Sequence, residues 1–139
     1  MIDIENKTSY EVDEDFLIKI VSSLTNKDIE LIVTNNQDIQ KINKEYRDID
    51  KPTDVLSFPY EDMPMAPLGS IVISIDFVQQ KASELHHTKD EEFSLLFIHG
   101  LLHLLGYDHE VDNGEMRDEE EKIIKNFKLP DSLIVRTQG

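Results

Sequence analysis

The sequence predicts an α+β domain, a small mixed sheet of about four strands packed with about five helices and with a histidine-bearing helix at its centre. Three observations carry this prediction. Short β-rich runs alternate with helix-period segments through the first half, and the second half is helix-patterned from Asp76 onward. One helix of that second half, opening Phe93-Ser94-Leu95-Leu96-Phe97-Ile98, is apolar almost all round. A segment of that kind is normally buried, so the other elements must close around it. Read as one domain over 1–139, the 139 residues suffice to bury a real core without staples.

Each element follows from local pattern. Ile2 to Glu5 alternates like a short strand. After an acidic start at Asp13 to Asp15, Phe16, Leu17, Ile20, Val21 and Leu24 keep a helical period. Ile29 to Thr34 is a compact β-rich run, and Asn35 or Asn36 can cap a helix carrying Ile39, Ile42 and Tyr46. Pro52 breaks the chain before a second run, Val55 to Phe58. After the loop Met63-Pro64-Met65-Ala66-Pro67, Gly69 opens a third, Ile71 to Ser74. Asp76 to His86 reads as a helix, and Thr88-Lys89-Asp90-Glu91 as the capping box of the histidine helix. A last helix runs from about Asn113 to Phe127 and ends at Leu129-Pro130, leaving Ser132 to Gly139 as a tail without an assigned place.

Composition narrows the chemistry. The chain contains no cysteine, which excludes disulfides, thiolate zinc sites and iron–sulfur clusters and fits a reducing cytosol. The N-terminus mixes acids among its apolar residues and lacks a signal-peptide core. No apolar run approaches the length of a membrane span, so a cytoplasmic protein without a membrane partner is expected. A net charge of −15 argues against indiscriminate polyanion binding, because phosphate contacts dominate non-specific nucleic-acid affinity. The exception is local: Lys41, Lys44, Arg47 and Lys51 recur every three or four residues, diluted by Glu45, Asp48 and Asp50. The run Asp118-Glu119-Glu120-Glu121 reads as a solvated helix face.

The chemistry concentrates in His99-Gly100-Leu101-Leu102-His103-Leu104-Leu105-Gly106-Tyr107-Asp108-His109. His99 and His103 are four apart, so on a helix their imidazoles leave one face, one turn apart. Gly106 can take the left-handed conformation that ends a helix and returns His109 toward that face. Three neutral imidazoles with no further protein ligand describe an open zinc centre of the catalytic kind. Such a metal acts as a Lewis acid on a carbonyl or phosphoryl oxygen, or lowers the pKa of its water. The zinc-protease motif has this spacing but carries a glutamate base where this chain has Gly100, which disfavours peptide hydrolysis by that route. Met116 reads as core packing rather than a methionine turn. Asp108 can orient the third histidine or handle a proton, or can be a turn residue only. Arg47 suits a phosphate or a surface ion pair, and Asp54 can simply shape a turn. His86 and His87 are expected to be exposed and not ligands.

The run His99 to His109 resembles the H-G-x-L-H-L-x-G-Y-D-H signature of the YbeY family, bacterial rRNA-maturation endoribonucleases. Asn43-Lys44-Glu45-Tyr46-Arg47 followed by Pro52-Thr53-Asp54-Val55-Leu56-Ser57-Phe58-Pro59 is similar to that family's other block, and Leu68-Gly69-Ser70-Ile71-Val72-Ile73-Ser74 to its strand before the helical half. The resemblance implies an α/β-built, zinc-dependent endoribonuclease specific for single-stranded RNA, acting in 16S rRNA 3′-end maturation and ribosome quality control. It implies one zinc per chain held by His99, His103 and His109 and matches Arg47 to the family's functionally important arginine, while Asp108 joins Arg47 as a catalytic candidate from its place beside the third histidine. Ribosomal RNA and the small subunit or its proteins are the implied partners, and DNA is not. Two other readings stay open: a zinc-binding ribosome-assembly factor without strong nuclease activity, and a metal-dependent hydrolase of another substrate. The chain departs from the family at Ser70, where an aspartate is usual.

Overall fold

The computed structural model describes residues 1–108 and 113–130. In chain order the elements are β1 (Ile2–Asn6), α1 (Glu14–Leu24), β2 (Ile29–Thr34), α2 (Asn36–Arg47), β3 (Val55–Pro59), β4 (Gly69–Ser74), α3 (Ile75–Leu85), α4 (Lys89–Leu104) and α5 (Glu115–Asn126). The four strands form one mixed sheet in the order β1-β2-β4-β3. β2 lies parallel to β1 and to β4, and β3 runs antiparallel to β4 with Val55 opposite Ile73 and Pro59 opposite Gly69. The predicted α+β class, the mixed four-stranded sheet and the five helices are all present.

Strand alternation divides the apolar residues between the two faces of this sheet. Ile29, Leu31 and Val33 of β2 and Ile71 and Ile73 of β4 join the main core with α1 and α4. Val72 and Leu56 point the other way, where they form a smaller cluster with Ile39 of α2. Every residue of β4 is buried, as expected for a strand covered on both faces. Against the main face lies α4, whose buried set runs from Glu92 to Leu104 and includes Phe97, Ile98, Leu101 and Leu102 at 0% exposure.

Local chemistry sets the ends of the helices. Asp13 caps α1 by accepting from the Phe16 amide, and Asn35 caps α2 by accepting from Asp38. Thr88 and Glu91 form the reciprocal capping box of α4, at 3.1 Å and 2.8 Å. α4 ends in a Schellman turn: the Tyr107 amide donates to the Leu102 carbonyl at 3.0 Å and the Gly106 amide to His103 at 3.1 Å. Gly106 sits at φ +100°, the left-handed conformation expected of it. The sheet approaches α4 closely at Gly69, where a Cβ would stand 2.6 Å from both the Phe58 carbonyl oxygen and Leu104 Cδ2.

Candidate metal centre

His99 and His103 lie on one face of α4, their rings 4.7 Å apart and nearly perpendicular. Each is oriented through Nδ1. His103 Nδ1 lies 3.0 Å from the Tyr107 carbonyl, which the Schellman turn folds back toward the helix. A carbonyl only accepts, so this nitrogen donates, and a neutral His103 ring then presents a lone pair at Nε2. His99 Nδ1 lies 2.6 Å from Glu120 Oε1 of α5, a carboxylate only 4% exposed. A carboxylate there favours the same tautomer, with the Nε2 lone pair directed outward. The two Nε2 atoms face each other at 3.1 Å. Two lone pairs at that distance repel unless a cation or proton lies between them. Two nitrogens on one tetrahedral zinc would be about 3.3 Å apart, so the pair fits a shared metal ion in both chemistry and spacing. Among the described residues no group of three His, Cys, Asp or Glu side chains forms a metal-binding set. The third expected ligand, His109, and the tail Ser132 to Gly139 lie outside the described residues.

The histidines open into a cavity of about 430 Å³ whose lining also includes Arg47, Asp54, Ser57 and Asp108. β3 is an edge strand, and Arg47, at the end of α2, reaches that edge: its Nη2 donates to the Ser57 carbonyl at 2.8 Å. One of five guanidinium N–H groups is thereby committed to the backbone, which leaves a planar donor array facing the cavity. Asp54 shapes the start of β3, its Oδ1 accepting from the Val55 amide at 2.7 Å, and it lines the cavity as well. Asp108 is an exposed lining residue just past the Schellman turn. The structure thus brings Arg47 together with His99, His103 and Asp108 at one cavity from two separate stretches of sequence.

Gly100 has a packing role. A Cβ there would meet Ile71 Cγ2 at 3.0 Å and Ser57 Oγ at 3.1 Å, and its carbonyl accepts from Ser57 Oγ at 3.0 Å. The position a zinc protease gives to its glutamate is here pressed onto the sheet, where a side chain would have to push Ile71, Ser57 and Val55 aside. Ser70 is buried within β4, and Met116 is core at 1% exposure.

Two expectations are corrected. The run Asp118 to Glu121 is not uniformly solvated, because Glu120 falls on the buried stripe of α5 with Met116, Ile123 and Ile124. His87 is not exposed: its side chain is 4% accessible and lies 3.5 Å from the fully buried Glu92. Glu120 is the site residue that the sequence reading missed. Its signal was helical spacing, four residues after Met116 and four before Ile124.

The fold and cavity define a small α+β protein with a histidine pair and an arginine converging on one open site. The family model described as "Endoribonuclease YbeY" matches residues 3–128. "Endoribonuclease YbeY" of Aliarcobacter butzleri is 65% identical over 138 residues, covering 98% of this chain and 99% of that one. The protein of the same description from Sulfurimonas denitrificans is 61% identical over the full length of both. A solution structure of a Thermotoga maritima protein superposes with a TM-score of 0.64 at 27% identity, covering 91% of this chain and 89% of that one. The chain belongs to the YbeY family of endoribonucleases. Among the described residues no helix is long and apolar enough to cross a membrane.

Proposed function

We propose that this chain is a cytoplasmic, zinc-dependent endoribonuclease that cuts single-stranded RNA in 16S rRNA 3′-end maturation and ribosome quality control. The observation supporting it is the meeting of the His99 and His103 Nε2 atoms, 3.1 Å apart, with Arg47 in one cavity. His99 and His103 would hold the metal, with His109 as the third ligand by its place in the sequence. Bound there, zinc would supply Lewis acidity toward a phosphoryl oxygen or a water of lowered pKa.

The chain's own groups divide the remaining work. Arg47, fixed by Ser57, offers N–H donors to the non-bridging oxygens of a phosphate and stabilises the charge that builds there. Glu120 and the Tyr107 carbonyl hold the two imidazoles in one tautomer and orientation. Asp108, an exposed residue of the cavity lining, would accept or return a proton at the reacting oxygen.

The net charge of −15 favours a second reading, a ribosome-assembly factor delivered by a protein partner of the small subunit, with zinc in a structural role. Purified protein on a single-stranded RNA and its duplex, with and without chelator, separates the two. The nuclease reading predicts chelator-sensitive cleavage of the single strand alone. Zinc-loaded protein that leaves the RNA intact would favour the assembly factor.

A further inference from the structure

The last turn of α2 carries an aromatic residue that its own periodicity assigns to the core. Ile39 is fully buried, Ile42 packs against the same cluster, and Tyr46 follows at helical spacing on that stripe. Tyr46 is nevertheless 65% exposed. It sits where the sheet ends, its ring leaning on Phe58 of edge strand β3, with centroids 5.5 Å apart and planes at 61°. The Arg47 guanidinium carbon lies 5.4 Å from the centroid of the same Phe58 ring. Tyr46, Phe58 and Arg47 therefore form one cluster of rings and cation. That cluster continues into the cavity, because Arg47 and both neighbours of Phe58, Ser57 and Pro59, line it.

We propose that Tyr46 is the stacking platform for an unpaired RNA base next to the phosphate that Arg47 holds, an assignment that rests on the nuclease reading above. The ring has the required properties: a braced, solvent-facing aromatic surface continuous with a phosphate donor. Charge argues the same way. A chain of net charge −15 gains little from general phosphate attraction, whereas stacking acts on any base and does not depend on net charge. The platform also selects for single strands, since a paired base already stacks on its neighbours and cannot lie on Tyr46 without leaving the helix.

The test uses the full chain with a short single-stranded RNA and its duplex. Tyr46→Ala is expected to raise KM for the single strand about tenfold with kcat and thermal midpoint unchanged, and Tyr46→Phe to keep the wild-type KM. The chain has no tryptophan, so Tyr46→Trp supplies a unique indole, and the single strand should quench its fluorescence saturably while the duplex does not. If wild type cuts the RNA and Tyr46→Ala cuts it with the same KM, the platform is wrong and the nuclease stands. If RNA binds Tyr46→Trp by anisotropy without quenching, the platform is likewise wrong. Wild type that neither binds nor cuts the strand overturns the nuclease reading, and the platform with it.

Discussion

Removing the charge on Glu120 should loosen the metal without unfolding the protein. The Glu120 carboxylate accepts from His99 Nδ1 at 2.6 Å, with the two side chains 5% and 30% exposed, so water screens the contact weakly. A charge-assisted hydrogen bond of this kind contributes about 1.5–3 kcal/mol. If that stabilisation is realised when His99 donates to a metal, its loss weakens zinc binding by about 10–100-fold. Glu120→Gln keeps the shape and an acceptor oxygen and should fall at the low end. Glu120→Ala removes the partner and should fall at the high end. Competition against a chromophoric chelator at fixed pH gives the zinc affinity, and a urea titration of the metal-free protein shows whether the fold has changed. Asp118→Asn on the same helix is the control, since it makes the same charge change at an exposed residue. Equal zinc affinity in wild type, Glu120→Gln and Asp118→Asn would refute the argument that Glu120 acts through His99.

Four other perturbations have definite outcomes. Arg47→Ala should lower kcat by about 100-fold or more while zinc content stays at the wild-type level, and Arg47→Lys should not restore it, because an ammonium cannot match the guanidinium fork. Unchanged RNA cleavage by Arg47→Ala would remove its assigned role. His103→Ala should purify without zinc, and stoichiometric metal in that variant would refute the ligand set. Gly69→Ala should destabilise by about 1–3 kcal/mol in urea titration, because its Cβ would press on the Phe58 backbone carbonyl at 2.6 Å; an unshifted midpoint would contradict this packing. The Asp38 carboxyl is held below the usual carboxylate range first by the Thr34 hydroxyl, against partial burial, and then by Lys7. A depressed pKa stabilises the fold above the unfolded value and loses that effect as pH falls through the folded one. Asp38→Asn should therefore cost less than about 1 kcal/mol at pH 7, with the difference from wild type closing as pH falls below about 4.

Much of this architecture was legible because local chemistry and tertiary packing agree. The capping box at Thr88 and Glu91, the Asn35 cap and the left-handed Gly106 each form where the residue types require them. The β-rich run Ile29 to Thr34 forms β2 over those same residues. The order of the sheet was not legible, since placing β4 between β2 and β3 depends on long-range pairing that no local pattern encodes. The facing of His99 and His103 followed from their spacing, but the groups that orient them did not. Glu120 lies in an acidic run whose composition suggests solvent, and only its phase relative to Met116 and Ile124 separates it from Asp118. The Tyr107 carbonyl is backbone and leaves no trace in residue type. His87 and Glu92 form a buried pair that adjacency to the exposed His86 concealed.

Gly100 and Tyr46 show how packing alters the meaning of a pattern. At Gly100 the protease-like spacing loses its base because α4 rests on Ser57 and Ile71 at that point. At Tyr46 the helical period continues beyond the end of the sheet, and a residue patterned for the core emerges beside the cavity. The first feature turns the site away from peptide chemistry. The second offers an acidic chain a grip on RNA that does not depend on net charge.

The central claim is that the histidine pair holds the metal by which this chain cuts RNA. The direct measurement is cleavage of a single-stranded RNA by metal-free protein titrated with zinc, with bound metal followed in the same samples. Activity should rise in proportion to bound zinc and saturate at one ion per chain. Cleavage that is complete before zinc is added, or absent from the fully loaded protein, would contradict it.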